Sequence, residues 1–352
     1  MKKRGFKKVL HTFFKVFIIF MLATAVLNLG IVGFLYFSHK SNLKKEKVYM
    51  TPPGVMVEVN GHQMHVLVEG DEDAEETLVF LHSCSVVDDS IALQPLFDNL
   101  TDYRLVYVDR SGVGFSEISG ASRDIDTMLD ETRTAIKEAG VEGPYTLVAI
   151  GTGGIQAFHW ANQYPEEVKS IIGITMNYPE QFADVTQDEY CGFFDYLLVQ
   201  FCKIGGQRIV KSIYPTNDYM LYTEMQMKVR NALVSKGGYT TDMYNEDLDT
   251  VDNAALVAAE GVPEKVPMYI MYANPLMEPY VNEDKSVSET YNQSVEDNSD
   301  IDYIDLYNKD AREYFDGYDN ITFEEISGPA RLYTYCPKEL AGKIAQYIEA
   351  KN

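Results

Sequence analysis

Cysteine is scarce and scattered: Cys84, Cys191, Cys202 and Cys336 are the only four in 352 residues, and no two form a CxxC pair. That spacing carries no zinc-site signature and is too sparse for a disulfide scaffold. Cys191 and Cys202 either pair in an oxidising compartment or stay buried as free thiols, and the sequence leaves both open. Histidine is thin as well. There are six (His11, His39, His62, His65, His82 and His159), and none follows residue 159. Positive charge is also short, with 30 Lys and Arg against 53 Asp and Glu. Seven of the basic residues lie in the first forty positions, which hold no acid, so the rest of the chain carries a net charge of −30. A body this acidic repels phosphate backbones, which excludes nucleic acid as a partner.

What is present reads as an ordinary globular composition, with 46% hydrophobic and 24% charged residues, not as a disordered or fibrous chain. The length suits one large α/β unit or two smaller domains. Residues 16–37 run VFIIFMLATAVLNLGIVGFLYF, 22 residues without a charge. At about 1.5 Å per residue that run crosses a hydrocarbon core of about 30 Å. Six basic residues precede it in a tail over 1–15, and Lys40, Lys44, Lys45 and Lys47 follow it. The positive-inside bias therefore points, weakly, to a cytoplasmic N-terminus. Ala23-Thr24-Ala25 offers a small-x-small cleavage motif. The apolar run continues a dozen residues further, so an uncleaved anchor in the cell membrane is expected, with the body outside. Residues 38–54, polar and basic and ending in Pro52-Pro53-Gly54, read as a tether.

Beyond the tether, Val55–Asn60 and His65–Glu69 alternate around Gly61 as a hairpin would. Thr77–His82, Tyr103–Asp109, Tyr145–Ile150 and Val168–Met176 are short, continuous apolar runs, the pattern of parallel strands buried on both faces. Between them Asp124–Ala139 places Ile125, Met128, Leu129, Thr132 and Ile136 on one helical face. This alternation predicts βαβ units in a wound α/β sheet over 55–177 and 265–352. Residues 178–264 break the rhythm with helical patterns and predict a lid over the strand ends. Strands resume at Val266–Ala273 and Ile321–Ile326, before a closing helix from Pro337 to Ala350. In the acidic stretch 281–319, the spacing of Asp297, Asp300, Asp302 and Asp305 lacks the loop glycine and terminal Glu of an EF-hand, so the stretch reads as a solvated face. No metal or cofactor is expected.

Four motifs stand in one order. Phe80-Leu81-His82 closes a strand. Asp109-Arg110-Ser111-Gly112-Val113-Gly114-Phe115-Ser116 follows the next one. Leu147-Val148-Ala149-Ile150-Gly151-Thr152-Gly153-Gly154 then joins strand to helix, and Tyr164-Pro165-Glu166-Glu167-Val168 leads into another strand. In order and spacing these resemble the oxyanion loop, the D-R-x-G-x-G-x-S turn, the nucleophile elbow and the Y-P-E-x-V segment of α/β-hydrolases. The body is similar to lid-bearing, membrane-anchored members of that family in Gram-positive bacteria. The resemblance implies an α/β-hydrolase fold and a Ser-His-acid triad with a backbone oxyanion hole.

Measured against that family pattern, the chain departs at each part of the triad. The elbow's serine position holds Gly151, the acid position after strand 7 holds Leu276, and the base position after strand 8 falls at Ala330-Arg331. Glu278 is the carboxylate nearest the acid position, and the alternative position after strand 6 reads Asn177. A one-residue shift would offer Thr152 as nucleophile, but would put Ile150 where the elbow needs a small residue. His82, Ser83 and Cys84 stand at the oxyanion loop, where His82 is a candidate base or ligand contact and Ser83 replaces the usual glycine. Two residues apart in an extended segment, His82 and Cys84 stand about 7 Å from each other, beyond hydrogen-bond reach, which argues against a Cys–His pair. His159 reads as a packing or surface histidine. The expected function is that of a pseudoenzyme, acting through an unidentified small ligand or protein. The alternative is an active esterase, lipase or peptidase with a non-standard nucleophile, and a purely structural scaffold is a third possibility.

Overall fold

The computed structural model describes residues 2–82, 89–213, 222–274, 277, 301–329 and 331–351. It opens on one long helix, α1 (Lys2–Glu46). Among the described residues this is the one helix long and apolar enough to cross a membrane, and its apolar window is not buried against the protein. Residues 38–46, expected as the start of a tether, instead continue this helix for about 2.5 turns. The stretch SHKSNLKKE holds no glycine or proline, and the first breakers come at Pro52-Pro53. It also finds a partner. Arg208 grips Glu46 through two N–H groups, each at 2.6 Å, and donates its Nε to His39 Nδ1 at 3.0 Å.

The sheet begins with a hairpin, β1 (Val55–Val59) and β2 (His62–Gly70). Asn60 and Gly61 both take positive φ, 49° and 87°, as a two-residue hairpin turn requires. Then follow β3 (Thr77–Leu81), β4 (Arg104–Asp109), α2 (Ile125–Glu138), β5 (Tyr145–Gly151), α3 (Gly153–Gln163) and β6 (Val168–Met176). The α2 helix starts where Asp124 caps it, its carboxylate accepting from the Thr127 N–H at 2.8 Å. After β6 the lid contributes α4 (Phe193–Lys203), α5 (Gly206–Ile213), α6 (Glu224–Gly237) and α7 (Thr241–Glu260). The core resumes with β7 (Met268–Asn274), α8 (Ile301–Phe315), β8 (Ile321–Ser327) and α9 (Pro337–Glu349).

The eight strands lie in the order β1-β2-β4-β3-β5-β6-β7-β8. β1 and β2 are antiparallel to each other, and β2 to β4; every other pairing is parallel. Alternate residues of the central strands serve two cores. Val79, Leu81, Leu147 and Ala149 pack with residues of α2 and α3, such as Ile136 and Phe158. Leu78, Phe80, Val148 and Ile150 pack with Leu340 and Ile344 of α9. Burial on both faces is what continuous apolar runs express, and each such side chain contributes about 1.5–3 kcal/mol.

Polar contacts fasten the lid to the turn after β4. Arg110 pairs with Glu246 of α7 at 2.6 Å, both groups nearly out of solvent. Asp242 of α7 accepts from Ser111 Oγ at 2.5 Å and from the Ser119 N–H at 2.7 Å. Lys236, at the end of α6, donates its Nζ to the carbonyls of Gly114, Phe115 and Ser116 at 3.0–3.2 Å. Beneath the same turn the Asp109 carboxylate accepts from the Phe115 N–H at 2.9 Å and lies 2.8 Å from His65 Nδ1. Gly114 sits so close to that carboxylate that a Cβ would strike it.

Candidate functional site at the strand-to-helix turn

The turn between β5 and α3 is set by three consecutive requirements. Gly151 ends β5 with φ +54°, a left-handed backbone that glycine adopts at little cost. Thr152 follows with φ −63° and ψ −11°, already in the helical region. Gly153 and Gly154 then open α3, wedged between strand ends. A Cβ on Gly153 would collide with the carbonyl oxygen of Leu81, and one on Gly154 with that of Asn177. The apex of the turn is therefore Gly151, and Thr152 belongs to the helix behind it.

His82 lies beside this apex. Leu81 pairs with Ala149 across the sheet, so the next residue, His82, stands level with the end of β5. Its ring is buried, with Nδ1 3.0 Å from Asp89 Oδ2 and Nε2 3.2 Å from the Tyr333 hydroxyl. The Tyr333 ring meets the imidazole edge-on, 5.5 Å between centroids. The imidazole lies between a buried carboxylate and a tyrosine hydroxyl, the kind of surroundings that a general base needs. Thr152 lines a small cavity of about 20 Å³ with Gln156, Arg110, Glu246 and Asn253. His82 lines another of about 10 Å³ that shares Arg110 and Gln156.

Two other histidines of the body, His159 and His65, serve packing. His159 is buried in α3, with Nε2 3.0 Å from Asp126 of α2 and Nδ1 3.0 Å from Glu260 of α7, so it ties three helices together. His65 receives the Gly54 N–H on Nε2 at 3.0 Å and faces Asp109 with Nδ1. Cys191, Cys202 and Cys336 are free thiols. Burial pushes the Cys191 thiol up to about 11 and that of Cys336 up to about 12. Both are protonated at neutral pH and inert as nucleophiles.

With this geometry in view, the comparisons with known proteins agree on the architecture. The profile of the alpha/beta hydrolase fold family matches residues 77–196. An epoxide hydrolase from Bacillus megaterium superimposes with a TM-score of 0.58 at 17% identity, over 84% of this chain and 100% of its own. The chain has the α/β-hydrolase fold. The uncharacterized protein YbdG of Bacillus subtilis (strain 168) is 27% identical over 328 residues, 91% of this chain and 92% of its own. The pimeloyl-[acyl-carrier protein] methyl ester esterase of Shewanella sp. (strain MR-7) is 28% identical over 152 residues. That match takes in 43% of this chain and about half, 52%, of the esterase.

Within this α/β-hydrolase fold the sequence-derived candidates fall unevenly. Gly151, Thr152 and His82 come together at the turn. Arg331 directly precedes the one-turn helix Leu332–Tyr335 that carries Tyr333 toward His82. Ser83, Cys84, Leu276, Glu278 and Ala330 lie outside the described residues. Sequence reasoning missed Asp89 and Tyr333. Asp89 stands seven residues after His82 and Tyr333 lies 251 residues away from it; neither position carries a motif, so contact alone reveals them.

Proposed function

We propose that this α/β-hydrolase-fold protein is anchored in the cell membrane by residues 16–37, with its body outside, and that it acts by binding a small ligand or protein without hydrolysing it. The observation that carries this reading is Gly151. The apex of the strand-to-helix turn, where the family holds its attacking serine, bears no side chain. The lack of any histidine after His159, together with Leu276 and Arg331 at the expected acid and base positions, supports the same reading. The apolar run of α1 supports the anchor, and the basic tail over 1–15 supports the orientation. The test is turnover of short acyl ester probes by the full-length protein, with labelling by a serine-reactive fluorophosphonate alongside. No turnover and no label are expected.

One observation favours a second reading, an active esterase. His82, with Nδ1 3.0 Å from Asp89, directly follows β3 next to the turn that carries Thr152. The partial similarity to a methyl ester esterase points the same way. Ester turnover abolished by both Thr152→Ala and His82→Gln would establish this reading and overturn the first.

A further inference from the structure

We propose that the α4–α5 face of the lid is a second membrane contact, seated in the interfacial layer of the bilayer that α1 crosses; the proposal rests on α1 being a membrane anchor. The depth follows from the helix itself. The apolar run ends at Phe37, and His39 lies two residues on, about 3 Å further along the axis. The His39 side chain packs against Gly205, which joins α4 to α5 with φ +86° and has no room for a Cβ. The α4–α5 corner is thereby held where the hydrocarbon gives way to headgroups, and the Arg208 grip on Glu46 and His39 keeps α5 alongside α1.

What this corner presents is apolar. The α4 sequence FFDYLLVQFCK carries one acid and one lysine and buries only Val199 and Cys202. Phe193 is 69% exposed and Phe194 81%, with Leu197, Leu198 and, on α5, Val210 exposed beside them. A cluster of large apolar side chains facing water is costly in a soluble protein, whereas aromatic and aliphatic side chains on a short amphipathic helix suit the membrane interface. A cavity of about 260 Å³ lined by Leu198, Phe201, Val210, Val234 and Tyr239 opens through this same face. Charge agrees. Lys40, Lys44, Lys45 and Lys47 collect at this end of α1, in a body otherwise strongly acidic, and complement anionic headgroups.

Trp160 is the single tryptophan and is buried in the core, which leaves the surface open to a placed reporter. Full-length protein would be reconstituted in phosphatidylcholine–phosphatidylglycerol vesicles, with and without chain-brominated phosphatidylcholine. Phe194→Trp and Leu197→Trp should each add emission that the brominated lipid largely quenches. The wild type and Glu142→Trp, at an exposed site on the α2–β5 loop, should not be quenched. Flotation with the vesicles but no quenching in either lid variant would overturn the lid contact and leave the anchor standing. Failure of the wild type to float would overturn both.

Discussion

His82 and Asp89 form a buried pair, Nδ1 to Oδ2 at 3.0 Å, beside the apex of the elbow turn. Asp89 is 1% exposed and sits on a one-turn helix, Asp89–Ala92, that packs under the sheet end. The far side of the imidazole faces the Tyr333 hydroxyl, so one ring joins the ends of β3 and β8. Removing the imidazole takes a polar neighbour from a buried carboxylate. We expect His82→Phe to cost about 1–3 kcal/mol, the penalty of taking a polar neighbour from a buried group. Tyr333→Phe, which deletes one hydrogen bond, should cost about 1 kcal/mol. Urea denaturation of the full-length protein in detergent measures both. Equal losses would show that the ring is held by packing and not by Asp89.

The glycines at the start of α3 separate conformational from steric demand. A Cβ on Gly153 or Gly154 meets backbone carbonyls, which cannot rotate away. Gly153→Ala and Gly154→Ala should each lose at least the roughly 1–3 kcal/mol of an overpacked core. Gly342 lies inside α9 with open space around it. Gly342→Ala should therefore stabilise by about 0.5–1 kcal/mol through helix propensity alone. Thermal midpoints of the three variants should move in opposite directions.

How much of this was legible in the sequence depends on how far apart the partners lie. β3, β5 and β6 were readable because strands buried on both faces are written as unbroken apolar runs. The turn after β4 was readable because Asp109, Phe115 and Ser116 satisfy one another within eight residues. The extension of α1 past Phe37 was not, since Arg208, the residue that holds it, lies 162 positions from Glu46. Asp89 and Tyr333 escaped for the same reason. A buried histidine's partners are chosen by tertiary contact, and no local periodicity announces them.

Lys236 makes a pH-dependent clasp between lid and core. Its ammonium is buried against three carbonyls, and that burial lowers its pKa from the usual lysine value. A lysine whose pKa is lower in the fold than in the unfolded chain binds fewer protons when folded, over the window between the two values. Within that window stability rises with pH. The stability of the wild type minus that of Lys236→Met should therefore increase as pH climbs through the lowered pKa, and level off near 10.5. Paired denaturation curves from pH 7 to 10.5 report the difference. A flat difference would mean that the amine titrates as it does in the unfolded chain.

Gly151→Ser probes whether an attacking group is all that the site lacks. The substitution places a hydroxyl at the apex, at φ +54°, a left-handed conformation that costs a non-glycine residue about 1–2 kcal/mol. That serine would still need a base, and general-base assistance is worth about 10²–10⁴-fold in rate. No histidine follows residue 159, and the imidazole at the end of β3, His82, faces Asp89 with one nitrogen and Tyr333 with the other. The single variant should therefore hydrolyse a short-chain ester only slowly. Adding Leu276→Asp and Arg331→His supplies an acid and an imidazole at the family's positions, so the triple variant should be the faster of the two. Steady-state turnover of wild type, single and triple variants decides the matter. If Gly151→Ser alone reaches the rate of the triple variant, His82 is serving as the base, and His82→Gln in that background should abolish the turnover.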